Sequence, residues 1–268
     1  MNKALLLLML VAIAAGTASA DMGDLVASFP NQPTTSTSSH YGVAADSIYL
    51  YSYHYTTGRL IYQMRRDNGA PVSSYPCPLG TSSPNYYLRG MSYGGGNYLY
   101  ACNYSMHLVP KFYSSNGSLI SSWTWGTDAR YGICCEHNGT NPGSYIWLNY
   151  YTDTVFYRYT TIGSALSSFS VAANTGAYDL AWDYGNDMIW YPNYSDEYVY
   201  GITTTGTLMA SWRVPSEVSN PYGIAYYDGY LYVSTSSGTP DEYIWVYECP
   251  NDVNVKAASM GKVKALFR

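Results

Sequence analysis

Short apolar runs punctuated by glycine and polar turn residues recur along this chain, and no stretch of useful length keeps a helical period. One pattern occurs five times: a glycine, small or apolar positions, then a serine and an aromatic. It reads Gly23-Asp-Leu-Val-Ala-Ser-Phe29, Gly69-Ala-Pro-Val-Ser-Ser-Tyr75, Gly117-Ser-Leu-Ile-Ser-Ser-Trp123, Gly163-Ser-Ala-Leu-Ser-Ser-Phe169 and Gly206-Thr-Leu-Met-Ala-Ser-Trp212. Three further strands are predicted in each unit. The first is small and glycine-marked (Tyr41-Gly-Val-Ala44, Arg89-Gly-Met-Ser92, Tyr131-Gly-Ile-Cys134, Tyr178-Asp-Leu-Ala181, Tyr222-Gly-Ile-Ala225). Small residues suit strands whose backbones approach closely. The second is aromatic and aliphatic on both faces, as in Tyr145-Ile-Trp-Leu148 and Tyr230-Leu-Tyr-Val233, and so fits a strand covered on both sides. The third runs as Val155-Phe-Tyr-Arg-Tyr159 or Tyr243-Ile-Trp-Val-Tyr247, and Asn68-Gly69 and Asn116-Gly117 are hairpin dipeptides leading into the fourth.

The glycines are 46, 48, 46 and 43 residues apart, the period of a four-stranded propeller blade. The last unit ends after its third strand, while Gly23 to Phe29 is a fourth strand with no unit of its own. Pairing the two closes a ring and removes two exposed sheet edges. The expected fold is therefore all-β, a five-bladed propeller over residues 21–250, closed by the N-terminal strand entering the last blade.

Asn220-Pro-Tyr-Gly-Ile-Ala225, Gly229-Tyr-Leu-Tyr-Val233 and Tyr243-Ile-Trp-Val-Tyr247 follow one another in the order of a known repeat. The chain resembles the extracytoplasmic, bacterial propellers with NHL- or YVTN-type repeats, with drift, from Tyr41 to Tyr247. Arg89 and Asp179 depart from the pattern, taking the places of a tyrosine and a glycine. The resemblance implies a fold rather than a function, because such propellers bind, catalyse or build.

Residues 1–20 read as a secretory leader: Lys3, an apolar stretch of 12 residues from Ala4 to Ala15, then Ala18-Ser-Ala20. The stretch is too short to span a bilayer, and a secreted or cell-surface location is expected. The net charge is −5, or −6 without Lys3, which disfavours nucleic acid and anionic membranes as partners. Only 12% of residues are charged while 33 are tyrosines, so the surface must be built from hydroxyls, amides and rings. Cys77, Cys102, Cys134, Cys135 and Cys249 are an odd set that cannot all pair within one chain. They read either as small buried apolar residues or as holding one or two disulfides, with Cys77 to Cys249 the first pair to test. Adjacent Cys134 and Cys135 point to opposite faces of a strand and are not expected to bond.

Loops between the second and third strands share a face with the connections between blades. Three begin alike, with Asn103-Tyr104, Asn149-Tyr150 and Asn193-Tyr194, and the first blade offers Tyr53-His54 there. Tyrosine rings beside amides form a sugar-binding surface; alternatively, each Asn caps its loop and each Tyr packs on the strand below. Asn103, Asn116, Asn138 and Asn193 each begin an Asn-x-Ser/Thr triplet, a glycan acceptor in a eukaryotic secreted protein. His40, His54, His107 and His137 fall in no metal or nucleophile motif, and no cofactor or metal is expected. Asp179 and Glu136 are the acidic pair open to a hydrolase role, Asp179 alternatively pairing with Arg89 across the axis. Residues 251–268 carry Lys256, Lys262, Lys264 and Arg268 and no repeat. This tail resembles short endings of surface proteins in uncultivated bacteria and reads as a sorting segment or a frayed terminus. The expectation is a non-enzymatic module binding extracellular glycan or a surface protein. A self-assembling structural protein is the alternative, and a propeller hydrolase a third reading.

Overall fold

The computed structural model describes residues 23–31, 40–54, 59–79, 87–126, 130–151, 153–171, 176–215, 220–235 and 243–249; the segment expected to be a leader and the basic tail lie outside them. Twenty strands form five antiparallel four-stranded sheets arranged as a five-bladed propeller, and no helix occurs among the described residues. β1 (Leu25–Pro30) comes first in the chain but belongs to the last blade. Blade 1 is β2 (His40–Ala45), β3 (Tyr49–His54), β4 (Leu60–Arg65) and β5 (Pro71–Pro76). Blade 2 is β6 (Leu88–Tyr93), β7 (Tyr98–Asn103), β8 (Leu108–Tyr113) and β9 (Leu119–Thr124). Blade 3 is β10 (Arg130–Asn138), β11 (Asn141–Tyr150), β12 (Val155–Thr160) and β13 (Ala165–Ser170). Blade 4 is β14 (Ala181–Asp183), β15 (Met188–Asn193), β16 (Tyr198–Thr203) and β17 (Leu208–Arg213). Blade 5 is β18 (Pro221–Tyr227), β19 (Tyr230–Thr235) and β20 (Tyr243–Glu248), completed by β1, with Ser28 opposite Trp245 and Phe29 opposite Ile244.

Alternation along each strand sends side chains into two different blade interfaces, so the core is five wedges rather than one mass. Leu50, Val43 and Met64 of blade 1 meet Phe29, Tyr232 and Ile244 of blade 5, while Tyr51, Tyr53 and Ile61 of blade 1 meet Met91, Leu99 and Phe112 of blade 2. Cys134 enters the interface of blades 3 and 4 and Cys135 that of blades 2 and 3, as opposite faces of β10 require. Trp147 and Trp190, the largest fully enclosed side chains, fill the wider parts of two wedges. All five cysteines are buried as free thiols. Cys77 lies between blades 1 and 2 and Cys249 between blades 4 and 5, so that disulfide expectation is replaced by packing.

Two local details differ from the sequence reading. The Asn68-Gly69 and Asn116-Gly117 hairpins are closed by longer loops: the Arg65 carbonyl accepts the Gly69 N–H at 2.9 Å, and Asn68 Oδ1 accepts the Ala70 N–H at 2.9 Å. The inner strand of blade 4 begins late, at Ala181, because the Asp179 carboxylate accepts the Leu180 N–H at 3.0 Å.

Candidate active site

Four inner strands carry glycine at the axis, and one side chain, that of Asp179, reaches in among them. A β-carbon on Gly90 would lie 2.6 Å from Asp179 Oδ1, so the carboxylate takes the space that a side chain there would need, while Gly42 and Gly223 let the neighbouring inner strands approach closely. Asp179 Oδ2 accepts the N–H groups of Val43 at 3.1 Å and Ile224 at 3.3 Å, and Oδ1 those of Met91 at 3.2 Å and Leu180 at 3.0 Å. One carboxylate thereby ties together blades 1, 2, 4 and 5. Burial drives its pKa upward, and the four N–H donors oppose that drive. This corrects two expectations: Asp179 is neither half of a catalytic pair with Glu136 nor the ion-pair partner of Arg89. Its acceptors serve the backbone.

At one end of the axis, Arg89 lies among tyrosines, its guanidinium 4.1 Å from the Tyr41 ring centre, 5.2 Å from Tyr131 and 5.5 Å from Tyr104. Tyr178 continues the cluster, its ring centre 4.2 Å from that of Tyr222 and 4.4 Å from that of Tyr151. Burial raises Tyr131 to about 12, against the opposing pull of Arg89. Tyr104 and Tyr194, from the Asn-Tyr loops, join this cluster at 5.0 Å from Tyr131 and 5.1 Å from Tyr222, and Tyr150 is half-buried nearby in sequence to Tyr151. The asparagines of those loops are buried and turned to the backbone. Asn103 Oδ1 accepts the Met106 N–H at 2.8 Å, Asn193 Oδ1 accepts the Ser195 N–H at 2.9 Å, and Asn149 Nδ2 donates to the Ala177 carbonyl at 3.0 Å. Tyr53 and His54 are fully enclosed, Tyr53 between blades 1 and 2 and His54 against His40 at 4.9 Å. Turn capping and packing account for the asparagines, Tyr53 and His54, while Tyr104, Tyr150 and Tyr194 remain half-buried.

Below Asp179 the channel encloses only about 10 Å³, room for a water molecule and no substrate. A larger cleft, about 290 Å³, opens on the opposite face between blades 3 and 4. Its walls are the end of β10, the start of β11 and the turn after β14. The β10–β11 hairpin is longer than its counterparts and is held to blade 2 by hydrogen bonds from Gly96 N–H to the Thr140 carbonyl and from Gly143 N–H to the Gly94 carbonyl, both 2.9 Å. Asp183, buried at the base of the opposing turn, accepts the N–H groups of Gly185 and Asn186 and so shapes the segment carrying Tyr184 and Asp187.

His137 stands at the back of this cleft, only 6% exposed, with Tyr93 and Tyr184 each 5.4 Å from its ring. Its Nδ1 is 2.9 Å from the Gly139 carbonyl, which can only accept, so Nδ1 carries the proton and Nε2 keeps a lone pair. Burial lowers its pKa to about 4, outweighing the Gly139 hydrogen bond, and the imidazole is neutral at pH 7. Glu136 beside it is held by Arg158, which donates from Nε and Nη2 at 2.7 Å each, and by Trp147 Nε1 at 2.6 Å. A fixed carboxylate, a neutral imidazole of set tautomer and a phenol thus line one cleft. Among the described residues no group of three or more His, Cys, Asp or Glu is placed to hold a metal ion. Sequence reasoning passed over His137 because no short motif surrounds it. The available signal was the length of Glu136–Tyr145, against the tight turns that join the same two strands elsewhere.

No family model and no curated protein sequence matches this chain. Among solved structures, glutaminyl cyclase from Myxococcus xanthus superposes with a TM-score of 0.64 at 13% identity, over 85% of this chain and 97% of that one. A chain of the nidogen/laminin complex gives 0.51 at 10% identity, over 73% and 72% of the two chains. Virginiamycin B lyase from Staphylococcus aureus gives 0.46 at 17%, over 84% and 74%. At such identities the likeness establishes the five-bladed fold and assigns no reaction. Glutaminyl cyclase, an enzyme, shares this architecture, so the fold lends no support to the expectation of a non-enzymatic glycan-binding module.

Proposed function

We propose that this chain is an extracytoplasmic propeller enzyme that transfers a proton on a small substrate held in the cleft between blades 3 and 4, with His137 Nε2 as the base. The observation that carries this reading is a neutral, tautomer-fixed imidazole at the back of a cleft of about 290 Å³, close to the lower end of the range for small-molecule sites. The Gly139 carbonyl holds the ring and stabilises the imidazolium that forms once Nε2 has taken the proton. With a pKa of about 4, His137 is in its basic form from mildly acid pH upward. Reactions that need proton transfer without a thiol nucleophile fit best, namely cyclisation or elimination, since all five cysteines are buried. The location rests on the leader-like first twenty residues and on the NHL/YVTN-like repeats; N-terminal sequencing of exported protein, expected to start at Asp21, tests it.

The activity test begins with ammonia release from N-terminal glutaminyl peptides, chosen because a glutaminyl cyclase shares the fold, and extends to lactone and ester eliminations. His137→Gln, with an unchanged circular dichroism spectrum, is expected to lose about 10²- to 10⁴-fold in rate. A His137→Gln variant as fast as the parent refutes the assignment.

A further inference from the structure

We infer that the cleft selects an organic cation, a substrate presenting an ammonium group; this rests on the cleft being the substrate site. The charged groups on its walls are the carboxylates of Glu136, from β10, and Asp187, from the turn after β14, while His137 between them is neutral. Arg158 offsets the charge of Glu136, so the carboxylate of Asp187 sets the net negative sign that an entering anion would meet. The nearest guanidinium, that of Arg158, is engaged: it makes two hydrogen bonds to Glu136 and stacks 4.0 Å over the Tyr145 ring.

Glu136 retains capacity for a further donor. Its Oε1 accepts from Trp147 and Arg158, whereas its Oε2 accepts from Arg158 alone, leaving one acceptor direction on a carboxylate that borders the cleft. Tyr145, Trp182 and Tyr184 supply the ring faces and edges around it. Trp182 is fixed by its Nε1 donating to the His137 carbonyl at 3.1 Å, and the Tyr184 hydroxyl accepts the Asp228 N–H at 3.0 Å, so both are set before a ligand arrives. Carboxylates among preset aromatic rings attract ammonium groups by Coulomb and cation–π forces together.

The test uses the full mature chain and three probes of closely similar shape: neopentylammonium, neutral neopentyl alcohol and anionic pivalate, at matched ionic strength. The readout is the indole N–H signal of Trp182 in nuclear magnetic resonance. Neopentylammonium is expected to shift it saturably, pivalate to leave it unmoved, and the alcohol to bind more weakly than the cation. Asp187→Asn should weaken the cation about two- to five-fold. Equal binding of pivalate, or no shift with the cation, overturns the inference. The two readings fail separately: His137→Gln should keep cation binding while losing turnover, so cation binding with an unaffected rate sinks only the base, and a lost rate without cation binding sinks only the cation selectivity.

Discussion

A β-carbon placed on Gly69 would lie 2.4 Å from the ring of Phe29, the aromatic of the strand that closes the propeller. The same relation runs round the ring: Gly117 faces Tyr75, Gly163 faces Trp123, Gly206 faces Phe169 and Gly23 faces Trp212. Each outer strand therefore begins with a glycine that receives the aromatic ending the outer strand of the blade before it. The repeated glycine and aromatic are two halves of one interlock between neighbouring blades, and Phe29 on Gly69 is the copy that joins the two ends of the chain.

Gly69→Ala should destabilise the protein by about 2 kcal/mol or more, since a φ of +70° and the Phe29 ring both oppose a side chain. Phe29→Ala should cost about 3–5 kcal/mol through the void it leaves. Urea titration of both variants measures this; parent-like midpoints would show that the closing strand contributes nothing to the ring.

Asp179→Leu leaves four buried N–H groups without acceptors and should cost several kcal/mol, with about 1–3 for each donor that finds no substitute. Asp179→Asn keeps one acceptor oxygen and should fall between the parent and Asp179→Leu. Thermal melting and amide exchange at Val43, Met91 and Ile224 report the effect; unchanged protection of those amides would contradict the axial role.

His40, buried against His54, has its pKa lowered to about 3 by burial and by that neighbour, and His137 is lowered to about 4. From about pH 6.5 downward the unfolded chain takes up protons on these imidazoles that the folded chain refuses. Their contribution to stability is therefore complete above pH 6.5 and declines as the pH falls toward 4, by up to about 1.4 kcal/mol per pH unit for each group. Burial raises Asp179, which opposes this slope, so the parent is compared with His40→Gln at pH 7.0, 5.5 and 4.5: the parent should lose more of its urea midpoint on acidification than the variant does. A variant that loses as much as the parent would contradict the sign assigned to His40.

Burial raises the Cys77 thiol to about 11 and Cys135 to about 12. A thiol reagent at pH 8 should label none of the five cysteines in the folded protein and all five in denaturant, with reductant leaving the melting temperature unchanged. Rapid labelling of the native protein would show an open blade interface.

The fold was largely legible because the repeat writes its own contacts. Alternating apolar positions in strands such as Tyr145–Leu148 declare that both faces are covered, and the spare strand at Gly23 to Phe29 announces the closure. The site was not legible in the same way. Asn103, Asn149 and Asn193 look alike in sequence whether they meet a ligand or cap a turn, and the direction of the amide is settled by backbone groups such as the Met106 N–H and the Ala177 carbonyl. Tyr53 and Tyr104 differ as little in pattern, yet one is enclosed between blades while the other joins the rings around Arg89.

By itself, then, the sequence determined the number of blades, the order of strands within each and the way the ring shuts, since the first two follow from periodicity and the third from one spare strand matching one incomplete unit. Only the tertiary structure decided that Asp179 would organise the axis, that Arg89 would sit among tyrosines, and that His137 would face a cleft. Each of those outcomes depends on side chains and backbone groups contributed by different blades, as when Asp179 meets Val43 from 136 residues away. Periodicity reports which face a side chain takes, and the partner waiting on that face is known only once the ring is closed.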